Sequence, residues 1–348
     1  MNEVHIGVIG VGRMGRNHCR VFSLLPKVEL TGVHDLNSNV GAAVAHQYHA
    51  PHYDSVAALL PHVDAVSIAT NTQSHFDLAV QCLAAGKHIF IEKPIAETVA
   101  QAEQLTQLAK RSKQIIQVGH IERFNPTYIE LKRVMDTMTV LAINIRRLSP
   151  FAGSNTDVDV ILDLMVHDLD LVLDIAGQTP TSMIAHGLTA YNGAIDHATV
   201  NLCFDDGPLV TVTASRLTEQ KIRQIEVTSL QAYTEANLMD KSLSIHRSTI
   251  GEYMNHDLQG HQYRQESIVE RIHVPMAEPL QLEMQHFVDS VLNGKQPQVT
   301  AVDGLEALQL VVQVQDDIKK NLLCVNKKGQ VEGKELFAHQ LDLTPTRG

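Results

Sequence analysis

Two hydrophobic periods interleave along the first third of the chain. Short apolar runs at 4–9, 28–33, 65–70, 88–91 and 115–119 read as strands. Between them, 16–24, 39–48, 55–60, 74–85 and 97–113 read as helices, the fourth closed by Gly86 at a C′ position. Strand and helix alternating in this way predict a doubly wound parallel sheet. Beyond residue 121 the pattern changes. Alternating runs recur at 139–148, 182–188, 197–204, 209–217, 224–229 and 232–237, and Asp205-Asp206-Gly207-Pro208 separates two of them as a hairpin turn would. Helices are expected at 159–175, 281–292 and 302–322, a polar loop over 255–266, and a polar tail after 327. This gives an α/β protein with a first domain over 1–121 and a second over 122–348.

Composition narrows the picture. The formal net charge is −11 with no block of Lys and Arg, which argues against nucleic acid and an anionic membrane as partners. The four cysteines are far apart, form no CxxC, and read as buried residues in a reducing compartment. Strand pattern starts at Val4 with no signal-peptide pattern before it, and no apolar run reaches spanning length, so a cytoplasmic location is expected. His46, His49 and His52 invite a metal site, but Pro51 breaks the segment and denies them a common face, so no metal is expected.

The chemistry gathers at strand ends. Gly10-Val11-Gly12-Arg13-Met14-Gly15 stands between a strand and a helix. In that context Gly10 permits a tight turn, Gly12 admits a pyrophosphate, and Gly15 lets the helix pack closely, with helix amides aimed at phosphate. Arg13 and Met14 belong to the same cofactor loop. Asp35 follows the second strand, twenty positions after Gly15, where an acid holds the adenosine ribose hydroxyls. Its charge repels a 2′-phosphate and Leu36-Asn37 offers no cation, so NAD is expected over NADP. Thr70, Asn71 and His75 follow the third strand and are expected along the cofactor crevice, with Glu92. The run KHIFIEKP, 87–94, ends a buried strand in Glu92-Lys93-Pro94, putting a lysine where open α/β sheets bind ligands.

The crossover HIERFNP, 120–126, contributes Arg123 and Asn125 as candidate substrate contacts. Arg146 and Arg147 lie on one strand and point to opposite faces, so at most one meets a given ligand; Arg123, Arg146 or Arg147 could hold a pyrophosphate, and Arg147 is a candidate substrate contact. In the helix DVILDLMVHDLDLVLDI, Asp159, Asp163, His167, Asp170 and Asp174 share an arc of about 80° at roughly 100° per residue. Alone, that stripe reads as the solvated face of an amphipathic helix. The chemical reading pairs Asp163 with His167, one turn on, as a carboxylate that orients a proton-accepting imidazole.

VIGVGRMG, the acid after strand two, Glu92-Lys93-Pro94 and Asp163-x-x-x-His167 stand in the order found in the Gfo/Idh/MocA oxidoreductases, which the chain resembles over essentially its whole length. The resemblance implies a Rossmann domain followed by an α/β domain with an open, mostly antiparallel sheet that often forms an oligomer interface, here a homodimer or homotetramer. It also implies that Lys93, Asp163 and His167 surround the nicotinamide and the reacting carbinol, and that the Lys93–Pro94 peptide is often cis. Asn71 departs from the proline that many members carry. GHIERFNP and RRLSPFAGSNTDVDVILDLMVHDLDLVL are most similar to the UDP-N-acetylglucosamine 3-dehydrogenase branch, which implies oxidation of a sugar 3-hydroxyl for a PLP-dependent aminotransferase in amino-sugar and lipid A-type biosynthesis. Oxidation of UDP-N-acetylglucosaminuronate, or of inositol or a free sugar, and nucleotide sensing without turnover are the alternatives. Which of Lys93 and His167 is the base stays open.

Overall fold

The structure, a computed structural model, describes residues 3–151, 158–191, 193–255, 260–320, 322–325 and 331–333. It divides into two compact units: Met1–Phe124 with Ala277–Gln309, and Asn125–Met276 with the chain from Leu310 on.

In the first unit, strands β1 (Val4–Ile9), β2 (Val28–His34), β3 (Ala65–Ile68), β4 (His88–Glu92) and β5 (Ile116–Gly119) form a wholly parallel sheet in the order β2-β1-β3-β4-β5. Helices α1 (Arg13–Phe22), α2 (Ser38–Gln47), α3 (Val56–Leu59), α4 (His75–Ala84) and α5 (Val99–Arg111) connect them. Local capping explains their starts. The Asn37 side chain accepts from the Asn39 and Val40 amides, and Thr98 with Gln101 forms a capping box. Gly86 takes a positive φ of 71° just past α4, as expected.

The sequence reading ends this unit at 121 and gives everything later to the second. The structure returns 277–309 to the first. The reason is the helix Pro279–Asn293, whose Leu280, Met284, Phe287, Val288 and Val291 share one face and join Ile6, Val8, Phe22 and Phe90 in a single core. Each large side chain buried there contributes roughly 1.5–3 kcal/mol. The Val118 amide also donates to the Val299 carbonyl, and the Gln117 side chain to the Glu283 carbonyl.

The second unit opens with α6 (Pro126–Met135) and β6 (Val140–Leu148). A π-helical turn, Ile161–Met165, leads into α7 (Val166–Ala176), which Gly177 closes at φ 63°. Then follow β7 (Ser182–Thr189), β8 (His197–Cys203), β9 (Leu209–Ser215), β10 (Ile222–Ser229), β11 (Tyr233–Asn237), β12 (Ser242–Asn255), β13 (Gly260–Ile272), β14 (Leu323–Val325) and β15 (Val331–Gly333). They make one ten-stranded sheet, order β13-β12-β11-β10-β6-β9-β8-β7-β14-β15, antiparallel except at β6–β9 and β7–β14. The expected open, mostly antiparallel sheet is present.

Two expectations change. The loop assigned to 255–266 is in part strand: β12 and β13 pair from Leu243↔Ile272 to Asn255↔Gly260, while 256–259 lies outside the described residues. Hairpin pairing satisfies backbone groups whatever the side chains, so a polar run can form it without a hydrophobic signal. Among the cysteines, Cys19 and Cys82 are buried and burial pushes both thiols up to about 12, but Cys203 is exposed. Residues 152–157 lie outside the described residues, as does most of the polar tail. Among the described residues no helix is long and apolar enough to cross a membrane.

The alternation along β6 turns Arg147 inward and Arg146 to the opposite face, where Arg146 meets Gln224 and Glu226 at 2.7 Å. Arg147 is 3% exposed and its Nε and Nη2 grip the buried Asp168 carboxylate at 2.7–2.9 Å. The Arg147 guanidinium fork thus ties α7 to the sheet. Removing one partner of such a pair leaves an uncompensated charge. Asp168→Ala should therefore cost about 3–5 kcal/mol in urea unfolding, with much of it recovered in Arg147→Met/Asp168→Leu. A loss of ligand affinity without a loss of stability would return Arg147 to the site.

Candidate active site

The carboxyl ends of β1, β2 and β3 enclose a cleft of about 380 Å³ lined by Gly10, Gly12, Asp35, Leu36, Thr70 and Asn71 among others. Gly12, which lines it, precedes α1, which begins at Arg13 and not at the expected residue 16. Gly12 is its N-cap, so Arg13, Met14 and Gly15 form the first helical turn. Amides of that turn have no partner within the helix and suit an anion. A Cβ at Gly12 would meet nothing within 4 Å, whereas one at Gly15 would lie 1.9 Å from the Gly10 carbonyl oxygen. Gly12 thus keeps space open for a ligand, and Gly15 lets helix and loop touch. Arg13 is exposed and Met14 half-buried beside the loop.

Asp35 stands at the rim of this cleft. The Val11 amide donates to its Oδ2 at 2.8 Å and the Asn37 amide to its Oδ1 at 2.9 Å. Two backbone bonds fix the carboxylate while each oxygen keeps acceptor capacity for a ribose hydroxyl. Thr70 and Asn71 line the cleft, and Ser74 Oγ lies within 2.8–2.9 Å of Thr70 Oγ1, the Asn71 carbonyl and Asn71 Oδ1, which holds this bend. The residues present therefore fit a dinucleotide.

Two residues expected along the cofactor crevice meet protein groups. His75 is 1% exposed, with Nδ1 2.9 Å from the Pro94 carbonyl and Nε2 3.3 Å from that of Thr70. Burial pushes its pKa down despite those carbonyls, so His75 braces the two strand ends from behind. The Glu92 carboxylate turns inward. His18 Nε2 lies 3.0 Å from its Oε1, and the Lys93 amide donates to its Oε2 at 3.3 Å. Lys93 itself is half-buried where β4 ends, one strand from Thr70 and Asn71, and its peptide to Pro94 is cis as the resemblance implied.

Arg123 and Asn125 also meet protein groups. Arg123 is buried, and its Nη1 donates to Asp303 at 3.1 Å. Asn125 is 5% exposed; its Oδ1 caps α6 by accepting from the Thr127 amide, and its Nδ2 donates to the Leu238 carbonyl. Both side chains therefore secure the chain where it leaves β5. Burial pushes the Asp303 carboxyl up, but hydrogen bonds from Thr300 and the Arg123 charge outweigh it and hold it below its ordinary value of 3.8.

In the second unit, Asp163 sits on the π-helical turn and His167 in the first turn of α7, both half-buried. Side chains pin the start of this segment. Asp159 Oδ1 accepts from the Leu162 amide at 2.9 Å, and its Oδ2 from Gln315 at 2.6 Å. Arg216 reaches the Val158 carbonyl at 2.8 Å while its Nε donates to the buried Asp196. The solvated-stripe reading fails here. Asp170 is fully buried, and Asp174 accepts from the Tyr128 hydroxyl and from Lys132 at 2.8 Å. Among the described residues no three His, Cys, Asp or Glu side chains are placed to share a metal ion.

Sequence reasoning missed His18 and Ser67. His18 is fully buried between Ser67 Oγ, 2.7 Å from Nδ1, and Glu92. The available signal was a histidine three positions after Gly15, one turn along the same helix.

Comparison with known proteins agrees with this geometry. A family model described as "Oxidoreductase family, NAD-binding Rossmann fold" matches residues 4–120, and "GFO/IDH/MocA C-terminal domain" matches 147–232. The chain is 34% identical over 251 residues to the UDP-N-acetylglucosamine 3-dehydrogenase of Acidithiobacillus ferrooxidans, covering 72% of this chain and 79% of that one. A solved structure of that enzyme superimposes with a TM-score of 0.82 at 29% identity, covering 92% of this chain and 99% of its own. The scyllo-inositol 2-dehydrogenase (NAD(+)) of Bacillus subtilis is 26% identical over 343 residues, 92% of this chain and 96% of that one.

The geometry yields three expected outcomes. Gly12→Ala should cost at most about 1 kcal/mol in stability, yet weaken dinucleotide binding in calorimetric titration at least about tenfold. Gly15→Ala should instead lose about 3 kcal/mol or more, the top of the overpacking range. For Asp303, whose folded pKa is depressed, the stabilisation is present above 3.8 and lost as pH falls through the lower folded value. Asp303→Asn should therefore unfold more easily than wild type at pH 7, and the gap should close in acid denaturation; a gap independent of pH contradicts the ion pair.

Proposed function

Because the chain belongs to the Gfo/Idh/MocA family of oxidoreductases, we propose that it uses NAD to oxidise the 3-hydroxyl of UDP-N-acetylglucosamine to the 3-keto sugar. The observation that carries the reading is Lys93 at the carboxyl end of β4, beside a cleft whose rim carries Asp35. The relative that acts on UDP-N-acetylglucosamine supports the sugar nucleotide. The 3-keto product suits a PLP-dependent aminotransferase, which would form the 3-amino sugar of a lipid A-type pathway.

Gly12 and the first turn of α1 would hold the pyrophosphate of NAD, and Asp35 the adenosine ribose. When bound, NAD supplies the hydride acceptor. Lys93 donates a hydrogen bond to the reacting oxygen and stabilises negative charge there. His167, oriented by Asp163, takes the hydroxyl proton. The open sheet of the second unit is proposed as the homo-oligomer interface. A neutral polyol is the second reading, favoured by the inositol dehydrogenase that matches nearly the whole chain.

The test is absorbance at the NADH band with NAD and UDP-N-acetylglucosamine, drained by a coupled aminotransferase and glutamate. The expected result is a sugar-dependent rise. Lys93→Met should abolish it with dinucleotide binding retained. NAD should be preferred over NADP by at least about tenfold in kcat/KM, near 1.4 kcal/mol. A rise with inositol and none with the sugar nucleotide would transfer the assignment to polyols.

A further inference from the structure

We infer that His18 is a positioning residue for Lys93: bridging Ser67 to Glu92, it holds the Glu92 carboxylate inward beneath the Lys93 amide and so sets the charge state of the lysine. The proposal rests on the reading of Lys93 given above. Its geometry lies entirely within the first unit.

Gly15 and His18 stand one turn apart on the face of α1 that meets the sheet. Because Gly15 has no side chain, the helix lies close enough for His18 to reach both β3 and β4. The imidazole meets the Phe90 ring edge-on, with centroids 5.4 Å apart, which fixes its plane. A proton on Nε2 satisfies both polar contacts: Nε2–H donates to Glu92, and Nδ1 accepts from the buried Ser67 hydroxyl. Glu92 pairs with Gly119 across β4 and β5, and a Cβ there would stand 3.2 Å from its carboxylate. The carboxylate thus has a fitted place, walled by Gly119 and latched by His18.

Burial pushes the Glu92 carboxyl up, but the hydrogen bond from His18 together with the Lys93 charge and amide outweigh it and leave it lowered. Glu92 is therefore an anion next to Lys93, and a fixed anion favours the ammonium form. Other titratable groups on the surrounding elements are His75 of α4, His120 after β5 and Glu283 of the helix Pro279–Asn293, all unchanged in the variants below. Without His18 the carboxyl loses a hydrogen-bond donor and takes up a proton more readily, which removes a negative charge near Lys93. That loss lowers the lysine pKa.

The experiment reads Lys93 directly. Lysines of the full chain are reductively methylated with ¹³C-formaldehyde, the Lys93 resonance is assigned by its loss in Lys93→Arg, and its titration is followed by NMR. Glu92→Gln and His18→Leu should lower the midpoint by about one pH unit, and His18→Gln, whose amide can still donate to Glu92, should restore most of it. Circular dichroism checks that each variant folds; if His18→Leu does not, Glu92→Gln and His18→Gln carry the test. A midpoint unmoved in folded Glu92→Gln makes His18 a satisfied core histidine and overturns the proposal. The titration needs no turnover, so a wild type inert toward UDP-N-acetylglucosamine overturns the substrate reading and leaves this one standing.

Discussion

The first unit depends on how closely α1 lies on its sheet. A single Cβ at Gly15 would fall 1.9 Å from the Gly10 carbonyl oxygen, so helix and loop are in contact there. Gly12, the N-cap of the same helix, lines the cleft with nothing within 4 Å of where a Cβ would stand. One turn after Gly15, the contact delivers His18 to Ser67 and Glu92. A glycine usually assigned to cofactor binding thus also organises the inner end of β4, where Lys93 stands.

Charge inside the protein is mostly structural. Arg147 with Asp168, Arg216 with Asp196 and Arg123 with Asp303 are buried or largely buried pairs, each joining elements distant in sequence. Such pairs contribute less to net stability than their Coulomb attraction suggests, because both ions are desolvated. Breaking one is still costly, so they fix geometry. In the second unit two of them bracket the segment that carries Asp163 and His167: Asp168 holds α7 to β6, and Arg216 holds Val158 just ahead of the π-helical turn.

Positions were more legible in the sequence than partners. Strand ends that carry Gly10, Asp35, Thr70 and Lys93 follow from hydrophobic period and turn chemistry, and the structure has all of them where the pattern puts them. The inward turns of Glu92 and His75 were not legible, because a polar residue at a strand or helix end reads alike whether it faces ligand or protein. Nor was the fate of Arg147: alternation put it on the face opposite Arg146 but could not say that Asp168 waits there. The return of 277–309 to the first unit depends on a long-range fit between Phe287 and Phe90 that no local period records. The π-helical turn was hidden for a similar reason, since its sequence satisfies ordinary helical spacing.

The central claim is that hydride leaves the sugar for a nicotinamide held by the first unit. The most direct measurement is to supply UDP-N-acetylglucosamine deuterated at C3, with NAD, and examine the reduced cofactor by proton NMR. The account predicts deuterium at C4 of the nicotinamide, on one face. Reduced cofactor free of deuterium, or none formed while inositol yields it, would contradict that account.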